Sequence, residues 1–496
     1  MGRFFLGIDQ GTTLTTALLC DETFHVMTKA SVPHGASYPQ PGWTEHDPQE
    51  LYTNCLKAAR EACGRAGLSL RDVYALGLDH QGESCLIWEK KSGRPVYPMI
   101  VWQDRRTAQE AERLAREAGD LIFERSGMRP DAYYSATKLA WILDHVPDAR
   151  GRLSRGELLL GTFNTYFLWR ASGGAVYATE PGSAGCTMLM NLQKTDWDPE
   201  LLSLFGLEKA FMPEITDTDT DYGLTDPAAF DGARIHLGGC LTDSQAGVLG
   251  GGCLQEGVLK TSYGTGSFML LQTGGKILTH PALTADCLWR FSGEARYALR
   301  GACYSAGSAI EWLIHGLGIL SRPEETEEIC RRTKDTGGVQ FVPAFSGLAA
   351  PYWDPYARGL LIGLTAGTGR DQIVRAVVES VACQVAVCFE TMREAGAGDC
   401  KKMRADGGMT ANRFIMQLQA DLLGAAVEVP QEKEMAAFGS ACLAGLSTGA
   451  LASPAEIADK VRIRAVYEPQ MSEEERNEKI ARFKAAVRRS LGWAKE

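Results

Sequence analysis

The amino-acid sequence predicts an α/β protein of two domains, and three observations carry that reading. Its 496 residues exceed what one hydrophobic core usually organises. Strand–turn–strand patterns with Gly/Thr turns stand at residues 4–19 and 257–271, one near the start and one near the midpoint. Apolar, strand-like runs end in Asp79 and Asp243. Ligands of open α/β sheets sit at such strand ends.

In the first pattern, Phe4, Phe5, Leu6 and Ile8 enter the turn Asp9-Gln10-Gly11-Thr12-Thr13, and a β-rich run over 15–19 leaves it. Gly11 permits close backbone approach, and successive N–H groups in such a turn cradle an anion. Asp9 would repel a bare phosphate, so its use beside one is to hold hydrated Mg²⁺. Residues 24–32 predict a third strand. A helix starts at Pro48 with Asp47 as N-cap and Leu51, Leu56, Ala58, Ala59 and Ala62 as its apolar face. The run 73–78 lacks alternation, predicts a buried strand, and delivers Asp79-His80-Gln81-Gly82-Glu83 at its end.

Short strands follow at 85–88 and 98–102, the second ending near Trp102, and Tyr133 precedes another helix. A further strand ends at Asp243-Ser244-Gln245. The second hairpin carries Tyr263-Gly264-Thr265-Gly266-Ser267, and Phe268 opens its return strand. These features place the domain boundary so that 1–247 and 248–496 form the two halves. Residues 372–392 predict a long amphipathic helix. Asp406-Gly407-Gly408 then leads into a helix over 414–423, where paired glycines leave room for a planar ligand or a phosphate. The segment after Ser472 reads as a surface helix, acidic at its start and basic at its end.

A net charge of −10 gives a nucleic-acid role no electrostatic footprint. Charged residues interrupt every apolar run short of a membrane span, and no basic-then-apolar leader opens the chain. The 14 cysteines are scattered singly, without a C-x-x-C pair, which argues against zinc and fits thiols in a reducing cytoplasm. The P-loop, G-x-G-x-x-G and H-E-x-x-H patterns are all absent, as are the protein-kinase signatures.

The stretches LGIDQGTT, QPGWTEHDP, PMIVWQDRRT, YSATKLAWILDHV, SYGTGSFMLL, VPAFSGLAAPYWDPYARG and DGGMTANRFIMQLQADLLG resemble, in this order, the FGGY carbohydrate kinases. Within that family the chain looks most like the glycerol kinases. The resemblance implies two actin-like, ribonuclease-H-like ATPase domains with a cleft between them, closing over ATP·Mg²⁺ and a polyol. By position it implies Asp243 as general base and Asp9 near Mg²⁺. Glu83, Trp102, Tyr133, Asp243 and Phe268 match acceptor-contacting positions. Thr12, Thr13, Thr265, Gly307, Gly408 and Asn412 match nucleotide-contacting ones, and Gly266 would follow the phosphates with Thr265.

Four departures stand out. Glycerol kinases carry N-Q-R-E where this chain has His80-Gln81-Gly82-Glu83, and Gln-Gln after the base where it has Ser244-Gln245. Their first turn ends in Ser-Ser-Arg, against Leu14-Thr15-Thr16 here, and Glu311 replaces a Gln near the nucleotide. Gly82 and Ser244 bear on the acceptor, because losing an Arg removes rigid donors and opens space. The leading expectation is therefore phosphorylation of glycerol to sn-glycerol 3-phosphate by direct in-line transfer. A kinase for a longer polyol or ketose is the alternative within the class, and an actin-like regulatory ATPase the one outside it. A cytoplasmic enzyme without nucleic-acid partners is expected, and homo-oligomerisation is left open.

Overall fold

The computed structural model describes residues 2–495, and its two main sheets repeat one topology. In the first, β1 (Phe4–Gln10), β2 (Leu14–Cys20) and β3 (Val26–Pro33) form an antiparallel meander. Strands β4 (Val73–His80) and β5 (His236–Thr242) add in parallel beyond β1, giving the order β5-β4-β1-β2-β3.

The second sheet comprises β6 (Val258–Tyr263), β7 (Ser267–Gly274), β8 (Thr284–Phe291), β9 (Glu294–Cys303), β10 (Lys402–Asp406), β11 (Ala426–Pro430) and β12 (Ile463–Tyr467). Its order is β8-β9-β7-β6-β10-β11-β12. The inner run β9-β7-β6-β10-β11 retraces β3-β2-β1-β4-β5 in order and direction. The two hairpins seen in the sequence are thus equivalent corners of a repeated unit.

Helices cover both faces of the first sheet, which is why its strands read as unbroken apolar runs. Helix α1 (Pro48–Arg65) begins where Asp47 accepts the Gln49 N–H at 2.9 Å. It packs Leu51, Cys55, Ala58 and Ala62 against Leu6, Ile8, Ala17 and Leu19. Helix α2 (Asp243–Gly250) follows β5 directly. In the second half, α3 (Arg370–Met392) and α4 (Arg413–Leu423) cover one face of the second sheet. Helix α3 is long and apolar enough to cross a membrane by composition, yet 83% of its apolar window is buried in the protein. It is a core helix.

Helix α5 (Met435–Ser447) belongs in sequence to the second half, but it packs on the first sheet against Phe5, Leu18, Ala75 and Leu241. The approach is so close that a Cβ on Gly7 would overlap the carbonyl oxygen of Ala437, and one on Gly77 that of Ser440. Glycine at both positions is a packing requirement.

A small sheet joins Glu45–His46, from between β3 and β4, to Met99–Ile100, Cys85–Glu89 and Leu158–Thr162, from between β4 and β5. The expected strand at 98–102 shrinks to two residues, leaving Trp102 in the turn beyond it. The third strand starts at Val26, because Phe24 adopts a left-handed φ of 62°. The paired glycines at 407–408 lead into a 3-10 turn, Gly408–Ala411, and α4 starts after it with the Asn412 side chain as its cap.

Replacing Gly77 by Ala should therefore separate α5 from the sheet. We expect Gly77→Ala to lower the unfolding free energy by about 1–3 kcal/mol in urea titrations, the range for overpacked cores.

Candidate active site

Parallel pairing sets Asp9 at the end of β1 level with Asp79 at the end of β4, and Asp79 level with Leu241 of β5, two residues before Asp243. Burial pushes the Asp9 carboxyl up, against a lowering hydrogen bond from Asp79, and the charge of Asp243 raises it further. Burial followed by the charge of Asp9 holds Asp79 well above the carboxylate range, so Asp79 is the protonated partner of the pair. Ser440 of α5 donates to Asp79 Oδ2 at 2.7 Å, which ties the buried pair to that helix. Burial also raises Asp243, opposed by the Ser244 N–H at 2.6 Å and by the Arg300 guanidinium.

A cavity of about 510 Å³ opens above these strand ends, lined among others by Thr12, Trp102, Tyr133, Thr265, Phe268 and Arg300. The Trp102 indole N–H donates to Thr12 Oγ1 at 3.0 Å, fixing that ring against the first hairpin turn. Tyr133 meets its edge with ring centroids 5.7 Å apart. Thr13 and Gly266 border the same cavity. The Thr12, Thr13 and Thr265 N–H groups have no carbonyl partner among the described residues, as an anion cradle requires.

Glu83 is 4% exposed, adopts a φ of 60°, and lies behind this cavity. Its Oε1 is 3.6 Å from Arg300 Nη1. Burial pushes its carboxyl up to about 7, against the opposing charge of Arg300. A Cβ on Gly82 would meet Thr242 and Cys186 at 3.4 and 3.6 Å, ordinary contact distances, so the loop backs onto those two side chains without excluding a small one. Gly82, Asp243 and Ser244 do not themselves line the cavity. Ser244 instead turns its N–H to Asp243.

A second cavity, of about 560 Å³, lies on the second domain and gathers Thr265, Gly307, Glu311, Gly408 and Asn412. Ile310, Pro323, Met409 and Ile415 give it apolar walls suited to a planar base. Gly408 faces open space, with no atom within 4 Å of where its Cβ would be. The Asn412 side chain is committed elsewhere. It accepts from the Ile415 N–H at 3.1 Å and donates to Thr326 Oγ1 at 3.0 Å, so it shapes the wall. Glu311 is exposed and lies 3.2 Å from His315. Thr265 borders both cavities, which therefore meet at the second hairpin turn.

Three residues of this region were not legible as site residues: Ser440, Asp286 and Arg300. Arg300 had a signal, a lone cation inside the apolar strand Tyr297-Ala298-Leu299-Arg300-Gly301-Ala302-Cys303. The other two depend on partners far away in the chain.

Profiles of the FGGY family of carbohydrate kinases match this chain, the N-terminal domain over residues 4–250 and the C-terminal domain over 259–448. The chain is 42% identical over 495 residues to glycerol kinase 2 of Thermotoga maritima, covering 99% of this chain and all of that protein. It is 44% identical to a glycerol kinase of Aromatoleum aromaticum over 493 residues, 99% of each. Among solved structures, the Plasmodium falciparum glycerol kinase with ADP superposes with a TM-score of 0.94 at 30% identity, over 99% of this chain and 98% of that one. A xyloylose kinase from Brucella ovis at 24% identity shares the fold with a TM-score of 0.87.

The buried Glu83 yields a pH prediction. Folded Glu83 binds its proton up to about pH 7, whereas the free carboxyl releases it near 4.5. The native state thus holds the extra proton between these values, and stability is lost as pH rises through them. Relative to Glu83→Gln, the wild-type protein should lose up to about 3 kcal/mol between about pH 4 and pH 8. Parallel urea titrations at both pH values measure this; a constant difference contradicts it.

Proposed function

The chain belongs to the FGGY family of carbohydrate kinases, and from that premise we propose that it transfers the γ-phosphoryl group of ATP to glycerol, forming sn-glycerol 3-phosphate. The observation that carries the reading is the meeting of two cavities at Thr265. One has apolar walls for a nucleoside, and the other sets the rings of Trp102, Tyr133 and Phe268 beside hydrogen-bonding groups such as Thr12, Thr284 and Arg300, suited to a short polyol. The full-length glycerol kinase relatives support the same acceptor.

Phosphoryl transfer needs alignment, charge neutralisation and an acceptor for the hydroxyl proton. Trp102 and Phe268 wall the carbon chain of the polyol, and Tyr133 and Glu83 engage its hydroxyls. Asp243 is the general base, and its burial raises its proton affinity towards that of a competent base. The unpaired N–H groups of Thr12, Thr13 and Thr265 receive the phosphates from both hairpins at once. Gly307 and Gly408 leave room for the adenosine. Closing the cleft excludes water, which would otherwise take the phosphoryl group.

The residues present also fit Mg²⁺. Among the described residues no three His, Cys, Asp or Glu groups converge to hold a metal alone. The mutually repelling Asp9 and Asp243 nonetheless leave local negative charge to neutralise. Mg²⁺ keeps most of its waters, so Asp9 would hold it through water beside the phosphates. When bound it neutralises charge on the transferring group. A cytoplasmic setting agrees with the free thiols, of which all but Cys400 are buried.

A coupled ADP assay over glycerol, erythritol, ribitol, xylulose and ribulose tests the assignment. Glycerol should show the highest kcat/KM. A four- or five-carbon acceptor turning over far better would move the protein to the longer-polyol class, and ATP consumption independent of any acceptor would make it a regulatory ATPase.

A further inference from the structure

Strand β9 carries a buried cation that the family resemblance did not point to. Arg300 pairs across the sheet with Leu270 on one side and Thr284 on the other, while Ala302 pairs with Phe268. Side chains two residues apart on a strand share a face. Phe268, Arg300 and Thr284 therefore present one surface to the first domain, and all three line the acceptor cavity. Arg300 Nε donates to Asp286 Oδ2, which anchors the guanidinium. Its Nη1 lies 3.6 Å from Glu83 Oε1, beyond hydrogen-bond reach. Neither Nη1 nor Nη2 makes a hydrogen bond among the described residues, although the side chain is only 13% exposed.

A guanidinium has five N–H donors in a rigid fork. Here one is taken by Asp286, and the terminal ones stand unused at a cavity wall. These donors border the cavity and have no protein hydrogen-bond partner, so they are available to a ligand that enters it. Gly82, opposite, has no side chain and so offers no donor of its own. Charge decides what kind of ligand fits. Arg300 faces Asp286, Glu83 and Asp243, and Arg105, the other cation lining the cavity, is held by Asp131 at 2.6 Å, so both cations are already paired and an uncharged acceptor fits best.

We propose that Arg300, anchored by Asp286, is an acceptor-binding and specificity-determining residue that donates to a hydroxyl of an uncharged polyol, supplying from the second domain the guanidinium that the Gly82 loop lacks. This rests on the kinase reading above and deepens it. Arg300 also fixes Glu83 from across the cleft, so the acceptor hydroxyls meet both domains only in the assembled site.

The test compares glycerol with 1,2-propanediol and 1,3-propanediol, each lacking one hydroxyl, in wild type and Arg300→Gln. A site built to bond a hydroxyl rejects the analogue without it. Arg300→Gln should cut the preference for glycerol over at least one diol by about tenfold or more, through the acceptor KM, with the ATP KM changed less than about threefold. Arg300→Lys keeps the charge and the Asp286 pair without the fork. It should lower the same preference several-fold even if the Gln variant folds poorly. Equal losses on all three acceptors, or wild-type preference in the Lys variant, would make Arg300 structural and overturn the inference alone. A wild-type enzyme that phosphorylates no neutral polyol overturns both this inference and the kinase reading.

Discussion

Acidic side chains crowd the place where two sheets face each other, and the rest of the site depends on how that charge is balanced. Asp9, Asp79 and Asp243 come from the ends of neighbouring strands, and Glu83 and Asp286 flank them from either domain. An isolated carboxylate in such surroundings gives up its charge. The protein answers with a proton held on Asp79, a hydroxyl from Ser440, the Ser244 amide and the guanidinium of Arg300. The remaining deficit is what a hydrated divalent cation and a nucleotide would neutralise together.

Two of these balancing groups reach across the chain. Ser440 arrives on α5, whose seat on the first sheet exists only because Gly7 and Gly77 have no side chains. Arg300 arrives on a strand of the second sheet and faces Glu83 of the first. The packing that holds the halves together is thus continuous with the electrostatics of the cleft. A change in the seat of α5 would be felt at Asp79, and through it at Asp9.

What the sequence made legible was local. The turn at Asp9, its counterpart at Thr265, the helix cap at Asp47 and the strand end at Asp243 all depend on neighbours within a few residues. Long-range partners escaped. Nothing near Gly77 announces a helix from residue 435 onward, and nothing near Gly82 announces that Thr242 and Cys186 lie behind it. Asn412 shows the limit from the other side: it borders the second cavity, but its amide is engaged by Ile415 and Thr326.

The central claim is that Asp243 takes the proton of a polyol hydroxyl while ATP binds independently of it. The most direct measurement pairs glycerol-dependent ADP formation with calorimetric ADP binding in Asp243→Asn. Loss of a general base should lower kcat by about 10²–10⁴-fold with ADP affinity preserved. Turnover within a few-fold of wild type, or loss of nucleotide binding in step with activity, would contradict it.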